Sequence, residues 1–254
     1  MLAEKRKDRI LQILEEDGSV KVSKLTKLFD VSIETIRRDL ETLEKEGLLK
    51  RVYGGAVLKK NKVHQLNYVK REKEFADEKK EIAKIAIRYI EEGQSIALNN
   101  GTTNIEIARE LKKNFKELTV ITNSLMIASE LADVDSFTII LTGGILNNKE
   151  YAFYGDLSEN VLSDFIVDKA FISVGGVSLT RGITDYLPGE VQIEKKLIEI
   201  SQEVIILADS SKIDSVSLIK VTDIHEANLV ITDSKLDDKI LNKYLKNGIE
   251  IVKE

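Results

Sequence analysis

Seven short apolar runs fix the fold class of most of this chain. They are SIAL (95–98), LTVIT (118–122), FTIIL (137–141), KAFISV (169–174), VIILA (204–208), NLVIT (228–232) and IEIV (249–252). Amphipathic stretches near 103–113, 124–132, 189–201 and 236–247 fall between them. Strand–helix alternation of this kind predicts an α/β domain on a mainly parallel sheet. A helix carrying Ile82, Ile85, Ala86, Ile87, Tyr89 and Ile90, and ending at Gly93, leads into it.

The first 58 residues have a different texture. Ile10, Ile13 and Leu14 share one helical face that stops at Asp17-Gly18. Ser23 can cap a second helix with the inward stripe Val22, Leu25, Leu28 and Phe29, and Asp30-Val31-Ser32 breaks it. Ser32 suits the N-cap of a third helix with Ile33, Ile36, Leu40 and Leu43 inward, ended by Gly47. LLKRVYGGAVL then reads as a hairpin turning at Gly54-Gly55. Short helix, tight turn, longer basic helix and wing make the winged helix-turn-helix pattern, whose second helix enters the DNA major groove.

Charge divides in the same place. Residues 1–62 hold 15 Lys and Arg against 11 Asp and Glu, net +4, while the remainder holds 23 against 32, net −9. Only the head is suited to a polyanion. The absence of cysteine excludes disulfides and cysteine metal sites, and two histidines, His64 and His225, do not make a histidine site. No metal and no cofactor are expected. No apolar run approaches the roughly 20 residues of a membrane span, and MLAEKRKDRI lacks the apolar segment of a secretory signal. The expected location is the cytoplasm.

A helical wheel at about 100° per residue selects the groove-facing side chains. Arg38 points directly away from the apolar stripe, with Glu34, Thr35 and Thr42 around it, and Arg37 lies at the stripe's edge. Arg38 is therefore the base-reading candidate, since arginine grips guanine O6 and N7 together. Arg37 suits a phosphate, and Glu34 suits only a cytosine amino group. Lys50, Arg51 and Tyr53 on the hairpin can hold the adjacent DNA backbone.

In an open α/β sheet, ligands bind beyond the carboxyl ends of the strands. SIAL is followed by Asn99-Asn100-Gly101-Thr102-Thr103 and a helix, which is a cradle for an anion or a plain cap. VIILA is followed by Asp209-Ser210-Ser211-Lys212, where the lysine suits a phosphate. Asn123 and Ser124 after LTVIT can cap a helix or meet a sugar hydroxyl.

At this point the chain resembles a known family. VSIETIRRDLETLEKEGLLKRVYGGA is similar to the DNA-binding signature of the DeoR family of bacterial sugar-metabolism regulators. Val31, Ser32, Thr35, Ile36, Arg37, Arg38, Asp39, Leu40, Leu43, Gly47, Arg51, Gly54, Gly55 and Ala56 carry the match. NNGTT, VITNS, LTGG, DKAFISVGG, Gly182 and DSSK extend it into the effector domain, whose fold in that family is similar to ribose-5-phosphate isomerase.

The resemblance implies a two-domain α+β protein with a winged helix-turn-helix over 1–58, a linker over 59–74 and an α/β effector-sensing domain over 75–254. It implies a repressor, less often an activator, whose operator affinity a phosphorylated sugar modulates, working as a homodimer or homotetramer. Gly101, Thr102, Thr103 and Lys212 would meet the phosphate. Asn123, Gly143, Gly144, Asp168, Gly175, Gly176 and Glu190 would lie near the sugar. One departure is Asn99, where the family commonly has an acidic residue. The competing reading is a sugar-phosphate isomerase-like enzyme with an appended DNA-binding head, using acid–base pairs drawn from Asp168, Asp185, Glu190 and Asp209. In that comparison Asp185 reads as a surface charge, and no use remains for the Arg37–Arg38 helix. The expectation is a regulator with no catalytic residues.

Overall fold

The computed structural model describes residues 3–17, 19–45, 48–58 and 68–254. Gly18, Gly47 and residues 59–67, with His64 among them, lie outside the described residues. The chain divides into two compact units, Met1–Leu66 and Asn67–Glu254.

The first unit runs α1 (Ala3–Asp17), β1 (Ser19–Lys21), α2 (Val22–Phe29), α3 (Ile33–Lys45), β2 (Leu49–Val52) and β3 (Gly55–Leu58). Its core joins Ile10, Ile13 and Leu14 of α1 to Leu25 and Phe29 of α2 and Ile36, Leu40 and Leu43 of α3. Two stripe residues depart from expectation. Leu28 and Ile33 are 54% and 50% exposed, because Leu28 sits beside the inward arc rather than on it and Ile33 opens its helix, where no turn above covers it. Ser23 does not cap α2. The N-cap position is Lys21, without a side-chain bond, and the Val22 N–H instead donates to Gly54 O at 2.9 Å. Ser32 does cap α3, its Oγ accepting from the Thr35 N–H at 3.2 Å.

The wing is a three-stranded sheet in the order β1-β3-β2, one strand more than the expected hairpin. Gly55 makes it possible, since a Cβ there would lie 2.0 Å from Val20 O on β1. A buried ion pair that spacing alone does not reveal ties α1 to α3. Arg6 Nε donates to Asp39 Oδ2 at 2.6 Å, and the same guanidinium donates to Oδ1 at 3.2 Å.

The second unit opens with α4 (Tyr68–Lys73), where a linker was expected, and α5 (Ala76–Ala86). Tyr68 is buried, edge-on to Tyr151 with ring centroids 5.9 Å apart. The chain continues through β4 (Ser95–Leu98), α6 (Thr102–Asn114), β5 (Thr119–Thr122), α7 (Leu125–Leu131), β6 (Thr138–Leu141), β7 (Ile145–Asn147), β8 (Ala152–Tyr154) and α8 (Asp156–Ser163). It closes with β9 (Val167–Ser173), β10 (Gly176–Ser178), β11 (Gly182–Asp185), α9 (Pro188–Glu199), β12 (Ser201–Leu207), β13 (Ile219–Thr222), β14 (Leu229–Ile231), α10 (Asp238–Lys246) and β15 (Ile251–Val252).

All seven apolar runs are strands of one sheet, ordered β15-β14-β12-β9-β4-β5-β6, every neighbouring pair parallel. Alternate residues feed two cores. Ile96 and Leu98 pack on the face covered by α5, α6 and α7, and Ala97 packs with Ala170, Ile172 and the residues of α9 on the other. Burial on both faces is why the inner strands read as continuous apolar runs. After β4 the chain adds strands in one direction, and after β9 in the opposite one. The carboxyl ends of β4 and β9 therefore flank the point where connections diverge, which opens a crevice.

Candidate functional site

The crevice is built from the loops after β4 and β9. Asn99 zips them together: its Nδ2 donates to Ser173 O at 2.9 Å, and its Oδ1 accepts from Ser173 N at 2.8 Å. A carboxamide donates and accepts at once, which an ionised carboxylate cannot, so the departure at Asn99 forms a structural clasp. Gly101 follows as the N-cap of α6, with no side-chain cap on the helix. A Cβ at Gly101 would stand 2.4 Å from the Ser173 Cβ, so only glycine lets the α6 N-terminus approach β9. The first-turn N–H groups beside Thr102 and Thr103 lack intrahelical partners and point at the crevice mouth, a favourable place for an anion.

Cations and acids converge on this mouth. Lys212 lies in a 3-10 turn after β12, its Nζ 3.7 Å from Asp209 Oδ2. Lys79 is buried at the start of α5, its ammonium donating to Glu74 O at 2.6 Å and to Arg71 O. Burial, with Lys212 nearby, lowers its pKa to about 8. Arg71 pairs with Glu150 from the turn between β7 and β8. On the opposite wall, Glu190 and Glu194 lie one turn apart on α9. Asn100 Nδ2 donates to Glu190 Oε1 at 3.3 Å, and Asn99 Nδ2 to Glu194 Oε1 at 3.2 Å. Burial, then the charges of Asp185 and Glu150, pushes the Glu190 carboxyl up to about 8. Burial raises Glu150, Asp185 and Glu194 as well.

The expected effector residues are not all brought together. Gly101, Thr102, Thr103, Glu190 and Lys212 share the crevice. Gly175 and Gly176 line its β9 side, packed so closely on Ser217, Tyr186 and Thr184 that side chains would collide. Asn123 serves the scaffold, its Oδ1 accepting from Asn100 N at 2.9 Å and its Nδ2 donating to Phe153 O at 3.0 Å. Gly143 and Gly144 turn the chain from β6 into β7 with positive φ.

Asp168 must be withdrawn from the set. It is the second residue of β9, at the amino end of the sheet, where its Oδ2 accepts from Ser95 N at 2.8 Å and Ser95 Oγ at 2.6 Å. Five residues of strand, about 16 Å, separate it from Ser173. Asp185 is no plain surface charge, because desolvation raises its pKa at the end of β11. Arg71, Lys79, Glu150 and Glu194 escaped the sequence reading. Only the spacing of Glu190 and Glu194, four apart on one helix face, carried a signal for any of them.

The outward face of α3 is the second candidate surface. Glu34, Arg37 and Arg38 are exposed and Thr35 and Thr42 partly so. Arg37 Nη1 is 3.9 Å from Glu34 Oε1, and Thr42 Oγ1 donates to Arg38 O at 2.9 Å. Lys50 is exposed and Tyr53 stands fully exposed at the wing tip. Arg51 is less free than expected, since its backbone N–H and Nε both donate to Glu44, at 2.8 and 2.7 Å. Gly54 and Gly55 shape the wing, and Ser32 caps the helix. Among the described residues no helix is long and apolar enough to cross a membrane.

Residues 6–62 match the family model described as the DeoR-like helix-turn-helix domain, and residues 74–234 match the DeoR C terminal sensor domain. The chain is 34% identical over 254 residues to the HTH-type transcriptional repressor GlcR of Bacillus subtilis, covering 99% of this chain and 96% of that one. It is 33% identical over 239 residues to the L-fucose operon activator of Haemophilus influenzae, covering 94% and 95%. Ribose 5-phosphate isomerase A of Methanocaldococcus jannaschii aligns over 55% of each chain at 20% identity, with a TM-score of 0.39.

Proposed function

The chain belongs to the DeoR family of transcriptional regulators, and from that premise we propose that it represses a carbohydrate-metabolism operon and is controlled by a phosphorylated sugar. It is a regulator and not an enzyme, as its relatives over nearly the whole chain are. In this reading the protein acts in the cytoplasm as a homodimer or homotetramer. Two copies of α3 meet two operator half-sites, with Arg38 on a base edge, Arg37, Lys50 and Tyr53 on the backbone, and Glu34, Thr35 and Thr42 beside them.

The observation that carries the effector half is the uncapped α6 N-terminus at Gly101, after β4, at the same edge of the parallel sheet as Lys212, after β12. A phosphate would accept from the first-turn N–H groups and from Thr102 and Thr103, with Lys212 as a point charge. The sugar would extend toward Gly175, Gly176 and Glu190. Effector binding changes operator affinity only by the difference in its affinity for the two conformations of the protein. No cofactor enters this scheme.

The test is a thermal-shift panel of sugar phosphates, each beside its unphosphorylated sugar. A ligand at about 100 times its dissociation constant stabilises by roughly 2.7 kcal/mol. One phosphate should raise the melting temperature by several degrees while its free sugar does not. Added to an operator-binding assay, that phosphate should release DNA. Tighter DNA binding would make the phosphate a co-effector that holds the protein on its operator, and no response from any phosphate would sink the effector half.

Two substitutions separate the halves. Arg38→Ala should weaken specific operator binding by about 1–3 kcal/mol and leave effector binding intact; unchanged operator affinity would remove Arg38 from the interface. Lys212→Ala should weaken effector binding on the order of 10- to 100-fold without altering effector-free DNA binding. Equal effector affinity in calorimetry would take Lys212 out of the site.

A further inference from the structure

The wall of the crevice opposite Lys212 has chemistry that a phosphate does not use. Asp185, Glu190 and Glu194 lie near enough there to raise one another's pKa, though not grouped as metal ligands are, and among the described residues none of the three has an ion-pair partner within 4.0 Å. The nearby cations have closer partners: Arg71 is paired with Glu150, Lys212 lies against Asp209, and Lys79 bonds backbone carbonyls, so Arg71 and Lys212 reach these carboxyls only through longer-range attraction. Two oxygens on this wall are buried with no hydrogen-bond partner. Glu194 Oε2 is one, on a side chain only 2% exposed, and Asn100 Oδ1 is the other. Asn100 Nδ2 already donates to Glu190, which leaves its carbonyl oxygen at the acidic wall with nothing to accept from.

A carboxamide oxygen only accepts hydrogen bonds, and buried acceptors without donors are costly. In the ligand-free site burial keeps a proton on Glu190; a cation entering there would displace it and leave carboxylate oxygens that also only accept. The wall therefore calls for a group that only donates and is positively charged. A hydroxyl brings an acceptor as well as a donor and no charge. An ammonium brings three donors, no acceptor and one positive charge. A metal ion fits less well, because among the described residues no three carboxyls or histidines are grouped as metal ligands.

On the reading of this crevice as a sugar-phosphate site, we infer that the effector is an amino-sugar phosphate, its phosphate at Gly101–Thr103 and Lys212 and its ammonium held by Glu190, Glu194 and Asn100 Oδ1. The site is then matched to a zwitterion, one end basic and the other acidic. An N-acetylated sugar phosphate would lack the cation.

The experiment titrates the full-length protein by calorimetry with glucosamine 6-phosphate and galactosamine 6-phosphate. Each is compared with its hexose 6-phosphate and its N-acetyl form. At least one amino sugar phosphate should bind tenfold or more tightly than both of its counterparts. In Glu194→Gln that ratio should fall toward one. The ratio is the readout, because a general loosening of the fold would weaken all three ligands alike. Equal or tighter binding of the hexose or N-acetyl phosphate would overturn the inference and leave the sugar-phosphate reading standing. A wild-type ratio that survives Glu194→Gln unchanged would also overturn it. Failure of every phosphate to bind would overturn both.

Discussion

Raising the pH from about 5 to 8 should destabilise the ligand-free second unit, a trend opposite to that of most proteins whose carboxylates are ion-paired. Glu190 has a folded-state pKa of about 8 against 4.5 for a free glutamate. Below 4.5 both folded and unfolded chains hold its proton, and burial carries no charge penalty. Between 4.5 and 8 the folded state keeps a proton that the unfolded state releases, so stability falls as pH rises. The full span is worth on the order of 3–5 kcal/mol, or roughly 10 °C of melting temperature for a unit of this size. Glu150, Asp185 and Glu194 act in the same direction. Lys79, whose pKa is lowered to about 8, acts only above that value, where its effect opposes the trend. Calorimetric melting of wild type and Glu190→Gln across this range checks the account. The wild-type curve should slope downward and the variant's slope should be shallower. A wild-type melting temperature that is flat or rises from pH 5 to 8 would show that the acidic wall is well solvated.

Asp39→Ala should unfold the DNA-binding unit while sparing the sensor unit. Its carboxylate takes two hydrogen bonds from Arg6, and both side chains are at least nine-tenths buried. Removing one partner of a buried pair typically costs about 3–5 kcal/mol, because the remaining charge loses its counterion. A unit of some 60 residues has little stability beyond that. Differential scanning calorimetry should show the first unit's transition lost or lowered by more than 15 °C, with the second unit's transition in place and operator binding abolished. Effector binding should persist. An unchanged first transition would mean that the α1–α3 pair is compensated by other bonds to Arg6.

Much of this was legible in the sequence for a definite reason. The inner strand runs are buried on both faces, so their apolar character is continuous and local, while the edge strands β6 and β15 are only partly covered. Arg38 was placed by helical geometry alone, which needs no distant partner. The strands β7, β8, β10, β11 and β13 were not anticipated, since they lie outside the main sheet. Asp168 shows the limit of motif reading. DKAFISVGG is one continuous motif, but as a strand it spans the sheet and sends Asp168 and Gly175 to opposite ends.

The periodicity of apolar residues, the Ser32 cap and the charge division were determined by the sequence itself: two units, a basic helix-turn-helix and a parallel sheet with its loops at the carboxyl ends. Which side chains meet was decided only by the tertiary structure. Arg6 and Asp39 are 33 residues apart, and Asn99 and Glu194 are 95 apart. No local pattern records such pairs. The acidic wall exists because β4, β9 and the N-terminal turns of α9 pack into one place. Its chemistry, carboxyls desolvated beside a cationic mouth, is a property of that packing and of no single segment of the chain.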